Sequence, residues 1–381
     1  MRQYLGGFAL RTMTAGNTQV RRLGYLTAIC QILLFSTPNA DSVMRNLLTW
    51  AREHQGYLNR YASERDGQGA INPDHLSGAR RYLDVADGLQ LVARTERRIE
   101  LSRFGELLRV LSSLKETENP FYLSYGEILF YTYWLLLNDA DFLLLVMDAA
   151  SEGEGLQLTD LQAQFQRRFI ERLEAKRNLV ADTVGRQEIS NAIQRAREMW
   201  QVPERYAEHI VPTRASWLLD LGFLEPKLFK DKRYALNSQG KRFREALPQI
   251  PSTDLRDVTG DWLWNSGFAS ILESLKGTSN KIPWSGLVPQ EVRTILEKPL
   301  QEACQHFRLF GMHACSMLPA LIYCVAVLTA CNDVQVNLAD IVSWESKWGT
   351  NVGFPYRFHM SPLEENSYIE MIDYTIVREP R

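Results

Sequence analysis

The chain has 381 residues, a formal net charge of −2 and an apolar share of 45%. At roughly 100–200 residues per domain, two to four domains are expected, and the apolar content excludes wholesale disorder. Balanced charge argues against a histone-like coat of basic residues but leaves room for a local basic patch. Five Cys are too few for a disulfide framework and fit a cytoplasmic setting. Met1–Thr18 lacks the apolar stretch of a signal peptide.

The charge is unevenly spread. Residues 1–115 hold 16 basic and 10 acidic residues, residues 116–250 hold 17 and 20, and residues 251–381 hold 10 and 15. The first third is therefore the natural place for a polyanion. Polar, Pro-containing stretches at Lys115–Pro120 and Pro248–Asp254 predict boundaries of three domains, 1–115, 121–248 and 252–381.

In the first segment, Val20, Leu23, Leu26, Cys30 and Leu33 recur at helical spacing. Asp41 is placed to cap a second helix carrying Val43, Met44, Leu47 and Leu48. The polar stretch Gln55–His75 predicts a loop. Ser77 opens a helix through Tyr82 and Leu83 that ends at Asp87-Gly88. Leu91-Val-Ala, the charged Arg94–Arg98 and Ile99-Glu-Leu101 predict a short hairpin, and Ser102 caps a last helix.

The second segment predicts helices over Ile128–Ala150, Leu158–Lys176 and Gln187–Trp200. Its ending repeats the first. A helix from Thr213 stops at Gly222, and a charged tip with Lys227, Lys230, Lys232 and Arg233 leads to Tyr234-Ala-Leu236 and a final helix. Leu101-Ser-Arg-Phe-Gly105 and Leu236-Asn-Ser-Gln-Gly240 share the Leu-x-x-x-Gly spacing, which marks an internal repeat. In the final third, Pro319–Asn332 and Asn337–Trp348 predict helices and Pro355–Met360 a strand. Ser361-Pro-Leu-Glu364 is a capping box before an expected helix, an order that faintly suggests a third unit.

These endings resemble the winged-helix form of the helix-turn-helix. Gly88…Leu91-Val92…Ile99-Glu-Leu101-Ser102…Gly105 carries the resemblance first, and Gly222-Phe-Leu224…Tyr234-Ala-Leu236-Asn-Ser238…Gly240 carries it again. The architecture also resembles the DNA-recognition part of FokI-type restriction enzymes and the subunits of bacterial defence assemblies. The resemblance implies a mainly α chain of two winged-helix units with small hairpin wings and a helical C-terminal domain. It further implies a recognition helix in the major groove and wing cations on phosphates. The residues this selects are Arg80, Arg81, Arg94, Arg97 and Arg98 in the first unit. In the second they are Arg214, Lys227, Lys230, Lys232 and Arg233.

The expected activity is that of a non-enzymatic, DNA-engaging subunit of a prokaryotic defence or restriction-type assembly. Duplex DNA is the expected partner, other subunits or self-association are served by the acidic C-terminal domain, and no cofactor or membrane is involved. A protein scaffold and a Mg²⁺-dependent nuclease are the alternatives. The nuclease would use Asp340 and Glu345-Ser-Lys347, which read as helical where such a motif usually sits on a strand. Cys304-x-His306 and His313-x-Cys315 have zinc-ligand residue types, but on one helix each Cys faces away from its His unless the chain breaks near Gly311. The charge-free run from Leu309 to Asn332 reads as buried helix broken at Pro319. The aromatic run Phe121–Tyr125 and Phe130–Trp134 reads as core rather than as a stacking platform for single strands.

Overall fold

The computed structural model describes residues 6–372, apart from 36–37, 65–70, 73, 96, 116, 154, 229–232, 277–280 and 362–365. The chain is mainly helical, with short strands. Residues Gly7–Gly260 form one compact unit, and Met1–Gly6 with Asp261–Arg381 form another. The first two expected domains thus share one body, and its border lies at Gly260 instead of Pro251. The stretch around Pro248 folds back because it has buried partners. Gln249 bridges Arg256, Ile250 is buried, and Asp257 pairs with Lys176 at 3.0 Å. Lys115–Pro120 is equally tight, with Lys115 Nζ donating to the Pro120 carbonyl at 3.0 Å and pairing with buried Glu127 at 3.3 Å.

The larger unit begins with α1 (Gly24–Ile32), α2 (Ala40–Glu53), α3 (Gln55–Glu64) and α4 (Leu76–Gly88). The hairpin β1 (Val92–Arg94) and β2 (Ile99–Leu101) follows, then α5 (Arg103–Ser112). Helices α1, α2 and α4 pack pairwise into a triangle. Asn39, not Asp41, caps α2 by accepting from Ser42 N, whereas Ser102 caps α5 by accepting from Gly105 N. Helix α3 replaces part of the expected loop. Its two buried anchors, Leu58 and Tyr61, are one turn apart, which suffices to hold a polar helix down. The Ile99 amide donates to the Pro38 carbonyl at 2.9 Å, which ties the backbone before α2 to β2.

Next come α6 (Tyr125–Ser151), β3 (Leu156–Gln157), α7 (Leu158–Arg177), α8 (Thr183–Met199), α9 (Pro203–Asp220), β4 (Leu224–Leu228), β5 (Arg233–Leu236) and α10 (Ser238–Ala246). The strands form an antiparallel sheet in the order β3-β5-β4. A reciprocal capping box of Ser124 and Glu127 opens α6, which is buried nearly throughout and kinks at Asp139. By length and composition α6 could cross a bilayer, but 89% of that window is buried within the protein, as in the core helix of a large unit. Thr213 does not open a helix. Helix α9 starts with Pro203 in its first turn and runs on through Pro212, where one backbone donor is lost. Burial of every residue from 210 to 221 compensates for that loss.

The repeat is real at the level of hydrogen bonds, with one shift of register. The helix stop equivalent to Gly222 (φ 77°) is Gln90 (φ 56°), not Gly88. Leu91 N donates to the Ala86 carbonyl as Phe223 N does to Leu218, and Ser102 N donates to the Leu91 carbonyl as Asn237 N does to Phe223. Gly105 and Gly240 then share one cause. A Cβ on Gly105 would lie far inside van der Waals contact with the Leu91 carbonyl, and one on Gly240 would do the same against Phe223. The Leu-x-x-x-Gly spacing thus records a close approach of the last helix to the start of the hairpin.

The smaller unit holds α11 (Gly260–Asn265), α12 (Gly267–Lys276), β6 (Ile282–Pro283), α13 (Pro289–His306), β7 (Ala314–Ser316), α14 (Met317–Cys331) and β8 (Val334–Gln335). It ends with α15 (Leu338–Trp344), continued by a π-turn over Glu345–Gly349, then β9 (Tyr356–His359) and β10 (Tyr368–Met371). The apolar run breaks into strand β7 and the buried helix α14, as Pro319 in the first turn of α14 permits. The sheet order β7-β10-β9 matches β3-β5-β4, although the short strand β8 stands where the larger unit has helix α8. The Ser361–Glu364 box lies largely outside the described residues, and the next described element is strand β10, not the expected helix.

Candidate nucleic-acid interface

Helix α4 buries Ala79, Tyr82, Leu83, Val85 and Ala86. That stripe leaves Ser77, Arg80, Arg81 and Asp87 exposed, with Asp84 partly so. The basic residues lie in the first half of the helix and the acidic ones in the second. Arg81 donates to Gln19 Oε1 at 3.4 Å. Arg94, on β1, pairs with Asp84 at 3.1 Å, and both side chains are about half exposed. The chain leaves the end of α4, returns alongside its middle at Arg94, and carries Arg97 and Arg98 onward at the hairpin tip. Both tip arginines are exposed. Arg80, Arg97 and Arg98 have no ion-pair partner among the described residues. Arg94 thus meets the exposed face of α4 that bears Arg80, Arg81 and Asp84, and Arg97 and Arg98 are exposed on the same hairpin as Arg94.

The second unit is different. Arg214 is fully buried, which corrects its expected place on a DNA face. Its guanidinium binds Asp139 through Nε at 2.8 Å and Nη2 at 3.1 Å. It also donates to the Gly16 carbonyl and, at 3.0 Å, to the Met13 carbonyl. Phe142 and Trp217 lie 5.2 and 5.1 Å from it as ring faces. Thr213 donates to the Thr18 carbonyl, and Trp217 Nε1 to the Val20 carbonyl at 2.9 Å. The segment Met13–Val20 is therefore fastened along α9 through Thr213, Arg214 and Trp217. Lys227 is exposed on β4, Arg233 is half-buried and donates to Gln157 at 3.3 Å, and Lys230 and Lys232 lie outside the described residues.

Behind α9 runs an ionic core that the sequence reading missed. Asp220 accepts from Arg22 at 2.7 Å, from Tyr61 at 2.7 Å and from the Leu23 amide at 2.9 Å, all buried. Asp141 accepts from Arg11 N at 2.7 Å and pairs with Lys176, while Arg172 reaches Asp148 at 3.2 Å and Asp257 at 3.3 Å. Burial pushes the Asp139 carboxyl above its ordinary value against the pull of Arg214. At Asp257 burial is overcome by Lys176 and Arg172, which hold it below the usual range. The signal was present in the sequence: Asp139, Asp141 and Asp148 interrupt a long apolar helix, and buried carboxylates call for buried cations. A cleft of about 220 Å³ beside Asp148 has its arginines already paired, Arg168 with Glu152, Arg167 with Glu171 and Arg172 with Asp148.

The remaining motifs resolve separately. The chain does break after His306, and Cys304 meets Cys315 across the break at 2.8 Å. No group of three or more His, Cys, Asp or Glu placed to hold a metal occurs among the described residues. Asp340 serves as the reciprocal cap of α15, accepting from Asn337 N at 2.8 Å. Glu345 lies in the π-turn with its carboxyl raised by desolvation, and Lys347 Nζ sits 5.0 Å over the Trp348 ring. Phe121, Phe130, Tyr131, Tyr133 and Trp134 are buried, and the ring pairs Tyr25–Phe121 and Phe130–Trp134 are core contacts. No protein-family model matches the chain, and no curated protein or solved structure is significantly similar to it.

Proposed function

We propose that this chain is a DNA-engaging protein made of winged-helix repeats, in which the first repeat meets duplex DNA through α4 and the β1–β2 wing. The observation that carries the reading is the exposure of Arg80 and Arg81 on α4 and of Arg94, Arg97 and Arg98 on a hairpin that Arg94 ties to α4 through Asp84. A three-helix core closed by a hairpin, with the strand before the second helix on the far side of the last strand, is the winged-helix arrangement. The orders β3-β5-β4 and β7-β10-β9 support it, as does the Pro38–Ile99 bond in the first repeat. A helix of this width enters the major groove, and wing arginines reach the flanking phosphates. Changing the five arginines to Glu should lower duplex affinity at least ~100-fold in a fluorescence-anisotropy titration at moderate salt. Unchanged affinity in a folded variant would remove the proposal.

A second reading has one observation in its favour. Helix α9 already serves as a protein-docking surface inside this chain, under Met13–Val20. In a scaffold protein α4 would do the same for a partner subunit, and the acidic pair Asp84 and Asp87 would belong to that contact. This reading expects no salt-sensitive DNA binding and a stable co-purifying partner.

A further inference from the structure

Cys304 sits in the last turn of α13 and Cys315 in the middle of β7, with their Sγ atoms 2.8 Å apart. Both side chains are buried. Two backbone contacts hold them there. Arg308 forms an antiparallel bridge with Cys315, and Ser316 N donates to the Phe307 carbonyl at 2.9 Å. The intervening loop closes on itself through Leu309 N and the Ala314 carbonyl at 2.8 Å, and it carries Phe310 fully exposed at its tip. A disulfide needs its sulfurs about 2.05 Å apart, so closure asks for less than ~1 Å of movement. Elsewhere the cysteines differ: Cys30 is buried in the larger unit, Cys324 is buried in α14 of the smaller unit, and Cys331 is exposed.

We propose that Cys304 and Cys315 are an oxidisable dithiol whose disulfide fastens α13 to β7 and closes the Phe310 loop covalently. The oxidant is a small two-electron acceptor of the peroxide class. A thiolate of the pair attacks the peroxide oxygen, giving a sulfenic acid and hydroxide. The second sulfur then displaces the sulfenic oxygen, forming the S–S bond. Over both steps the two thiol protons and the peroxide become two molecules of water. Because the sulfurs are already in contact, the second step is intramolecular and outruns further oxidation of the sulfenic acid. Burial restricts the first step to small oxidants.

The test uses the full-length protein, treated with hydrogen peroxide under native conditions, then alkylated in denaturant and mapped by tandem mass spectrometry. A Cys304–Cys315 cross-link should appear with a mass lower by two hydrogens, together with a Tm raised by several degrees that dithiothreitol reverses. Cys304→Ser and Cys315→Ser should each abolish the cross-link, and Cys30→Ala should leave it. Should either serine variant fail to fold, the wild-type map still decides. Two results would overturn the proposal: both cysteines remaining free thiols while exposed Cys331 is oxidised, or Cys315 linking to Cys324 instead.

Discussion

The first and second repeats share a chain trace and use it in opposite ways. After the same helix stop, hairpin and Gly-dependent last helix, α4 turns a polar, arginine-bearing side to solvent, while the last three turns of α9 are buried all round. The Met13–Val20 segment reaches both helices, touching α4 through Gln19 and Ala15, but α9 is also enclosed by α6 and α7. Met13–Val20 covers α9, and its carbonyls at Met13, Gly16, Thr18 and Val20 take the donors of Arg214, Thr213 and Trp217. In this register Arg214 stands where the first repeat has Tyr82, a position buried in both copies, so it is a core anchor and not the counterpart of the exposed Arg80 and Arg81. Repeat similarity alone does not transfer function between copies.

The largest expected effect tests the anchor. Arg214→Ala leaves Asp139 buried without its cation and should cost about 3–5 kcal/mol in denaturant unfolding. Arg80→Ala, on the exposed helix, should stay within ~0.5 kcal/mol of wild type. Equal costs at the two sites would erase the contrast. Next in size, Gly240→Ala and Gly105→Ala each drive a Cβ into a backbone carbonyl. About 1–3 kcal/mol is expected at either site, and a neutral result would mean the hairpin start can yield. Smaller and of opposite sign are the two helix stops. Gly222→Ala should destabilise by about 1 kcal/mol because its φ is positive, and Gln90→Gly should stabilise by ~0.5–1 kcal/mol for the same reason. The smallest change concerns Asp84, which holds Arg94 at 3.1 Å. If α4 and the wing meet DNA as proposed, Asp84→Asn should strengthen duplex binding a few-fold by freeing Arg94 and removing a negative charge beside it.

Much of the fold was legible because helices announce themselves by apolar periodicity and hairpins by turn chemistry. The helices α6, α7 and α8, the cap at Ser102 and both hairpins lie where short-range patterns place them. What escaped was set at long range. Thr213 reads as a helix start, yet α9 begins at Pro203 and tertiary burial carries it through Pro212, where a backbone donor is missing. Arg214 looked like surface charge, since nothing near it in sequence shows that Asp139 faces it from 75 residues away. Helix α4 does end at Gly88, but the left-handed conformation that usually goes with a terminal glycine falls two residues later, at Gln90. Gly88 is instead needed for packing, as a Cβ there would press on Ala15. At the candidate site, the first-repeat arginines were legible because exposed helix and hairpin positions need no partner to be read.

The salt dependence of duplex binding tests the central claim most directly. With log K plotted against log salt concentration, the slope should flatten by about four to five when Arg80, Arg81, Arg94, Arg97 and Arg98 become Glu. It should not change for Arg214→Lys, measured where that variant remains folded. A slope indifferent to the five arginines, or one that follows Arg214, would contradict the division of roles between the repeats.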